Sequence, residues 1–145
     1  MMRRVSVIHG PNLNLLGTRE KDIYGDLTLS ELNNGLEQKA KHLGLSIDFM
    51  QSNIEGDLVN YIQSLSQRSD FLIINAGGYT HTSIAIRDAL LSAAIPFIEV
   101  HLSNVDKREE FRKTSVLSDI AQGVIYGLGA LSYELALIGA SRLVL

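Results

Sequence analysis

The chain contains no cysteine in its 145 residues. That removes disulfides, thiolate nucleophiles and cysteine-ligated zinc or iron–sulfur sites, and it fits a reducing cytoplasm. Charge of one sign is also lacking, since 13 Lys and Arg stand against 16 Asp and Glu for a net charge of −3. Neither a broad nucleic-acid surface nor an anionic-membrane surface is expected from that balance. No apolar run approaches the roughly 18 residues of a membrane span. The basic start Met1-Met2-Arg3-Arg4 is followed only by Val5 to Ile8 before His9-Gly10-Pro11, too short a stretch for the core of a signal peptide. Repeats, low-complexity tracts and charge blocks are absent as well.

What is present suits one globular domain over residues 1–145, with 46% hydrophobic and 20% charged positions. A chain of about 150 residues hides roughly 68 to 70% of its extended surface, so a single core suffices without metal or disulfide. Val5 to Ile8 is a short β-branched strand closed by Gly10-Pro11. Thr28 and Glu31 form a capping box for a helix whose Leu29, Leu32, Leu36, Ala40 and Leu43 share a face up to Gly44. Leu45 to Met50 alternates as a strand, Ile54 to Leu65 has helical spacing, and Phe71 to Ile74 is a fully apolar strand. Thr80 or Thr82 is placed to cap a helix through Ala94; Pro96 to Leu102 and Gly123 to Leu128 are strands, and Ala130 to Leu143 is a last helix. Residues 104–119 read as a loop with a helical turn. Such alternation predicts a parallel sheet covered by helices on both faces, in three layers.

In an open parallel sheet, ligands bind beyond the carboxyl ends of the strands. Those ends are polar here: His9 with Asn12 and Asn14, Gln51 with Asn53, Asn75 followed by Gly77-Gly78-Tyr79-Thr80-His81, and Glu99 with His101 and Ser103. Glu99 and His101 share one face of a strand, so the carboxylate can orient the imidazole and favour its protonated form, a general-acid arrangement. The turn Gly10 to Gly17 has neither the dinucleotide fingerprint nor the phosphate-loop motif. A phosphoacceptor receiver domain would need carboxylates where His9 and Asn75 stand. His81, Glu99 and His101 could form a two-His-one-carboxylate metal set, although their spacing is not diagnostic. The lysines sit in loops or polar helix positions, poor settings for a Schiff base.

The segment from Asn12 to Leu27 is longer than an ordinary strand-to-helix connection and marks a functional loop. It carries Arg19 and Tyr24, and a guanidinium near a phenol favours phenolate by charge attraction. Arg108 and Arg112, in the later loop, are placed to meet a carboxylate ligand or the same phenol, while a salt-bridged loop with Glu109 and Glu110 would read alike. The start Thr82-Ser83-Ile84 offers backbone N–H groups to an anion.

Taken in order, these blocks resemble the type II 3-dehydroquinate dehydratases over nearly the whole chain. They are Gly10-Pro11-Asn12-Leu13-Asn14-Leu15-Leu16-Gly17-Thr18-Arg19-Glu20 with Tyr24-Gly25, Gln51-Ser52-Asn53, Asn75-Ala76-Gly77 with Tyr79-Thr80-His81-Thr82-Ser83 and Arg87-Asp88, and Glu99-Val100-His101-Leu102-Ser103 with Arg108 to Arg112. The resemblance implies a flavodoxin-like α/β/α sandwich with strand order 2-1-3-4-5. It also implies anti elimination of water from 3-dehydroquinate to 3-dehydroshikimate, in the shikimate pathway or quinate breakdown, without cofactor or metal. Tyr24 would be the base, Arg19 would tune it, Asn12 would stabilise the enolate through a water, and His101, oriented by Glu99, would be the acid. Asn75, His81, Leu102, Ser103 and Arg112 would bind substrate, with Asp88 reaching in from a neighbouring subunit of a dodecamer of trimers; Arg108 and Gly77 would support the site. Departures from the family pattern are Ile54, Ala76 with Gly78, and Ser132. The alternative class is a flavodoxin-like binding module, which would hold the ligand without turning it over.

Overall fold

A computed structural model describes residues 2–143. Its strands are β1 (Arg3–His9), β2 (Leu45–Gln51), β3 (Phe71–Asn75), β4 (Phe97–His101) and β5 (Gly123–Tyr126). Its helices are a single turn α1 (Lys21–Tyr24), then α2 (Leu29–Leu43), α3 (Glu55–Ser64), α4 (Ile84–Ala93) and α5 (Ala130–Leu143). The five strands run parallel in the order β2-β1-β3-β4-β5, the flavodoxin-like order the resemblance implies. Among the described residues no helix is long and apolar enough to cross a membrane.

Side chains alternate between the two faces of the sheet, and the core divides accordingly. Val5, Val7, Phe71, Ile73 and Val100 pack with Leu32, Leu36 and Ala40 of α2 and with Tyr133, Ala136 and Leu137 of α5. Ile8, Leu72, Ile74 and Phe97 pack with Leu58 and Ile62 of α3 and with Ile86 and Leu90 of α4. Burying each such aliphatic side chain contributes about 1.5–3 kcal/mol. Both faces of the central strands are therefore dry, which is why β3 is apolar through Ile74.

Local signals set the helix ends. Thr28 Oγ1 accepts from Glu31 N–H at 3.1 Å and the Glu31 carboxylate accepts from Thr28 N–H, the capping box expected for α2. Gly44 closes that helix at φ 71, a left-handed conformation that glycine takes without a Cβ clash. At α4 the structure corrects the sequence reading: Ser83, not Thr80 or Thr82, is the cap, its hydroxyl accepting from Ile86 N–H at 2.9 Å. The 3₁₀ turn Gly77–His81 occupies the preceding residues, and the N–H groups of Thr82 and Ser83 donate back to the Tyr79 carbonyl. Residues 104–119 hold three short 3₁₀ turns rather than one helical turn. Ser132, a departure from the family pattern, is fully buried and accepts from Leu128 N–H at 3.1 Å, so it caps the turn that leads into α5.

Among the polar groups buried with this core is a histidine. His9 ends β1 on the α2/α5 face, fully buried, with Phe49 stacked at 6.2 Å. Its Nε2 meets Asn33 Oδ1 at 2.8 Å and its Nδ1 meets the Tyr133 hydroxyl at 3.0 Å. Asn33 Oδ1 can only accept, so Nε2 carries the hydrogen and a neutral Nδ1 accepts from Tyr133 O–H. Burial brings the His9 imidazole down from 6.5 to about 4, against the opposing hydrogen bond to Asn33. Between those values the unfolded chain takes up a proton that the folded chain does not. Stability is thus full above pH 6.5 and should fall on the order of 3 kcal/mol as pH drops to about 4. Urea unfolding across that range should show this slope in the parent and a flatter one in His9→Phe; equal slopes would mean His9 titrates alike in both states.

Candidate active site

The parallel register places His9 beside both Gln51 and Asn75, so three strands end in one row at the carboxyl edge. Gly10 N–H donates to the Asn75 carbonyl at 2.7 Å, and the backbones of β1 and β3 approach so closely there that a Cβ on Gly10 would lie 2.5 Å from Ala76 carbonyl atoms. Gly77, at φ 58, turns the chain immediately beyond, against Pro11. Gln51 Nε2 donates to the Gly10 carbonyl at 3.2 Å, and Asn53 Oδ1 accepts from Asn12 N–H at 2.9 Å. Those two strand-end residues tie the first loop down rather than face a ligand. Asn12 itself sits at φ 70, a conformation asparagine tolerates better than most residues.

Eleven of the thirteen residues singled out from sequence line one cavity of about 140 Å³ beyond that edge. Asn12, Arg19 and Tyr24 come from the loop after β1; Asn75, Gly77 and His81 from the end of β3; His101, Leu102 and Ser103 from the end of β4; Arg108 and Arg112 from the loop beyond. Glu99 stands behind His101. Asp88 does not belong to the cavity: it is exposed on α4, between the exposed Ile84 and Leu91. The helix start at Thr82 and Ser83 does not line it either, and the Ile86 N–H there donates to the Ser83 hydroxyl.

At one side of the cavity, His101 Nε2–H donates to Glu99 Oε2 at 2.7 Å. Glu99 Oε1 accepts from Ser115 Oγ at 2.8 Å and Ser118 Oγ at 3.0 Å. Burial raises this carboxyl, but the hydrogen bonds to His101, Ser115 and Ser118 and the charge of His101 outweigh that, and its net displacement is downward. Ser115 and Ser118 were not singled out from sequence, since nothing in residues 104–119 marks them as reaching β4. His81 lies alongside, its ring 6.4 Å from that of His101, and its Nδ1–H donates to the Thr114 carbonyl at 2.7 Å. The His81–Glu99–His101 metal set considered from spacing is not formed: among the described residues no group of three or more His, Cys, Asp or Glu could hold a metal ion.

At the loop after β1, the Tyr24 oxygen accepts from Arg108 Nη1 at 2.7 Å and from Arg19 Nη2 at 3.4 Å. The Arg19 guanidinium also lies over the Tyr24 ring, 4.4 Å from its centroid, and that of Arg108 lies 5.3 Å away. Glu20 approaches both arginines at 3.7 and 3.8 Å. Arg112 is steadied by Glu109, whose carboxylate accepts from its Nε at 3.1 Å. The contact of Arg108 with the phenol oxygen is shorter than that of Arg19, which the sequence reading put first.

A flavodoxin-like sheet whose carboxyl edge gathers a phenol between two guanidiniums and a carboxylate-oriented histidine defines an acid–base enzyme of the α/β class. A family model described as dehydroquinase class II matches residues 3–141, and the chain belongs to that family. It is 59% identical over 143 residues to the 3-dehydroquinate dehydratase of Bordetella avium, covering 98% of this chain and 99% of that one. The corresponding protein of Actinobacillus pleuropneumoniae is 55% identical over 136 residues, covering 94% and 88%. Among solved structures, the type II dehydroquinase of Butyrivibrio crossotus superposes with a TM-score of 0.94 at 43% identity, covering 97% of this chain and 98% of its own.

The Glu99 arrangement has a pH consequence of definite sign. Its carboxyl is held below the ordinary value in the fold, so its contribution is present above that value and is lost as pH falls through the lower folded one. Glu99→Gln should therefore cost on the order of 3 kcal/mol at pH 7, as expected for breaking a buried pair, and progressively less as pH falls below the ordinary carboxylate value. A penalty independent of pH in urea unfolding would show that packing, not charge, is what Glu99 supplies.

Proposed function

We propose that residues 1–145 form one catalytic domain, a type II 3-dehydroquinate dehydratase that removes water from 3-dehydroquinate by anti elimination to give 3-dehydroshikimate. The observation that carries the mechanism is the Tyr24 oxygen, 2.7 Å from Arg108 and 3.4 Å from Arg19, on the same cavity as His101. Two guanidiniums donate to that oxygen, charge-assisted hydrogen bonds placed to steady it as a proton acceptor. Tyr24 then takes the proton from C2 of the substrate, leaving an enolate that Asn12 stabilises through a water. His101, protonated and held by Glu99 through Nε2, gives the proton from Nδ1 to the C1 hydroxyl as it leaves as water, and the enolate collapses to the conjugated enone. Asn75, His81, Ser103, Leu102 and Arg112 bind the hydroxyls and the carboxylate, with Gly77 leaving room at the turn. No cofactor is needed in this scheme. The enzyme serves the shikimate pathway of aromatic biosynthesis or quinate breakdown, and the absence of cysteine is compatible with a reducing cytoplasm.

Substituting Tyr24→Phe keeps the ring and removes the proton acceptor, so kcat should fall at least about 10²-fold with KM changed far less. Arg108→Ala should lower kcat more than Arg19→Ala, following the shorter contact. Enone absorbance measures both, and a Tyr24→Phe enzyme with most of its activity would remove Tyr24 from the chemistry.

Assembly belongs to the same proposal. Asp88 lies outside its own cavity on an exposed face with Ile84 and Leu91, at the spacing i, i+4, i+7 of one helix stripe. We assign that face to a neighbouring subunit in a trimer, four trimers making a dodecamer, with Asp88 completing the neighbour's site. Light scattering should give a trimer or dodecamer, and Asp88→Ala should raise KM. A monomer with full activity at nanomolar concentration would contradict the arrangement.

A further inference from the structure

We propose that Ser115, with Ser118, is a positioning residue for the acid step: the two hydroxyls keep Glu99 an ionised acceptor, so that the proton it shares with His101 stays on the imidazole. The inference rests on the reading of His101 as the general acid. Neither serine lines the substrate cavity. Both line a second cavity of about 220 Å³ together with Glu99, and His81, His101 and Arg112 form a wall common to the two cavities.

Phe97, Glu99 and His101 alternate onto the face of β4 that meets α3 and α4. Residues 115–119 fold over that face and are fixed there independently of Glu99. Val116 N–H donates to the Thr80 carbonyl at 2.9 Å, and the Val116 carbonyl accepts from Arg87 Nη1 of α4 at 2.8 Å. Arg87 also pairs with Asp119, and Leu117 is fully buried in the α3/α4 core.

A hydroxyl has one proton and two lone pairs. Both lone pairs of Ser115 Oγ are engaged, by Leu117 N–H at 3.0 Å and Ser118 N–H at 3.1 Å. Only the proton is left for Glu99 Oε1, 2.8 Å away, so this contact runs one way, from serine to carboxylate. Ser118 Oγ donates to the same oxygen at 3.0 Å. A proton on Oε1 would meet that of Ser115 with no lone pair to receive it. The remaining place for one is Oε2, 2.7 Å from His101 Nε2, and two donors on Oε1 make the carboxylate a weaker base there. The shared proton therefore stays on the ring, which keeps Nδ1–H the acidic proton of an imidazolium. A water in the second cavity could fill the place of either hydroxyl, but it can turn to accept a proton as readily as to donate one.

The other titratable groups around the pair are engaged elsewhere. In the loop, Arg112 is paired with Glu109 and Lys113 with Glu110, while Asp106 accepts from the Tyr126 hydroxyl of β5 at 2.6 Å. Before α4, His81 Nδ1–H is given to the Thr114 carbonyl, and the register partners of Glu99 on β3 and β5 are the apolar Ile74 and Val124. Losing a serine donor destabilises the carboxylate most when His101 is neutral and leaves its charge unanswered. The pair then holds its acid proton more tightly and becomes a weaker acid.

The test is kcat for 3-dehydroquinate against pH, followed by enone absorbance. Ser115→Ala should lower kcat about tenfold and move the alkaline limb, where the acid is lost, upward by about half to one pH unit, with the acid limb and KM in place. Ser115→Thr keeps the hydroxyl and should restore most of kcat. Ser118→Ala removes a donor to the same oxygen without opening the turn that Ser115 closes, and should move the same limb in the same direction by less. It decides the question if Ser115→Ala does not fold. His101→Ala separates the two readings: if it keeps most of the parent kcat, His101 is not the acid, and the positioning role fails with it. If it loses turnover while the serine variants that fold show the parent profile, the positioning role alone is overturned. A lower melting temperature with an unchanged alkaline limb in the serine variants would mean that they supply packing only, and overturns it equally.

Discussion

The shared carboxyl edge of five parallel strands is the constraint on which everything else depends. In-register pairing of His9 with Gln51 and Asn75 ends three strands at one level, and each end must satisfy polar groups that the dry faces of the sheet cannot. The chain meets that demand in two ways. On the α2/α5 face, His9 is answered by Asn33 and Tyr133. On the other face, Glu99 is answered by His101, Ser115 and Ser118. The site is what projects past this edge: strand register fixes Asn75 and His101, and the loops beyond it bring in Asn12, Arg19, Tyr24, Arg108 and Arg112.

Charge at the mouth of the cavity is arranged by competition. Arg19 and Arg108 both approach the Tyr24 oxygen, yet both also approach Glu20, and Arg108 lies 3.8 Å from Glu109. Those carboxylates are half-exposed and their ion pairs long, so they are worth little by comparison with the 2.7 Å contact to the phenol. The result is a phenol that feels two cations while the surface around it remains near neutral. On the acid side the logic is reversed: one carboxylate with three donors holds one histidine.

Much of this was legible in sequence because the signals were local. The capping box at Thr28 and Glu31, the closing Gly44, the apolar β3 and the polar strand ends each declare themselves within a few residues. Ser83 was misplaced by one to three positions because Thr80, Thr82 and Ser83 are equivalent by type, and only the 3₁₀ turn at Gly77–His81 decides among them. Ser115 and Ser118 were invisible for a different reason. Their partner Glu99 is 16 and 19 residues away, and no periodicity connects a loop to the face of a strand it folds over. The sequence points to Arg19, five residues from Tyr24, and misses that Arg108, 84 residues away, makes the shorter contact with its oxygen.

The single turn α1 has a consequence of its own. Four residues cannot sustain a helix in water, since nucleation costs more than one turn of hydrogen bonds returns. Glu20 at φ 33 and Gly25 at φ 80 bound it, so neither neighbour extends it. The tether from Tyr24 to Arg108 is therefore what gives this segment a resting place. Amide protons there are set to exchange by brief local opening, whereas those of β1 and β3 exchange only when the whole molecule opens. Tyr24 thus sits on a weakly held single turn and His101 at the end of a strand buried along its length, so the two sides of one cavity differ in local stability.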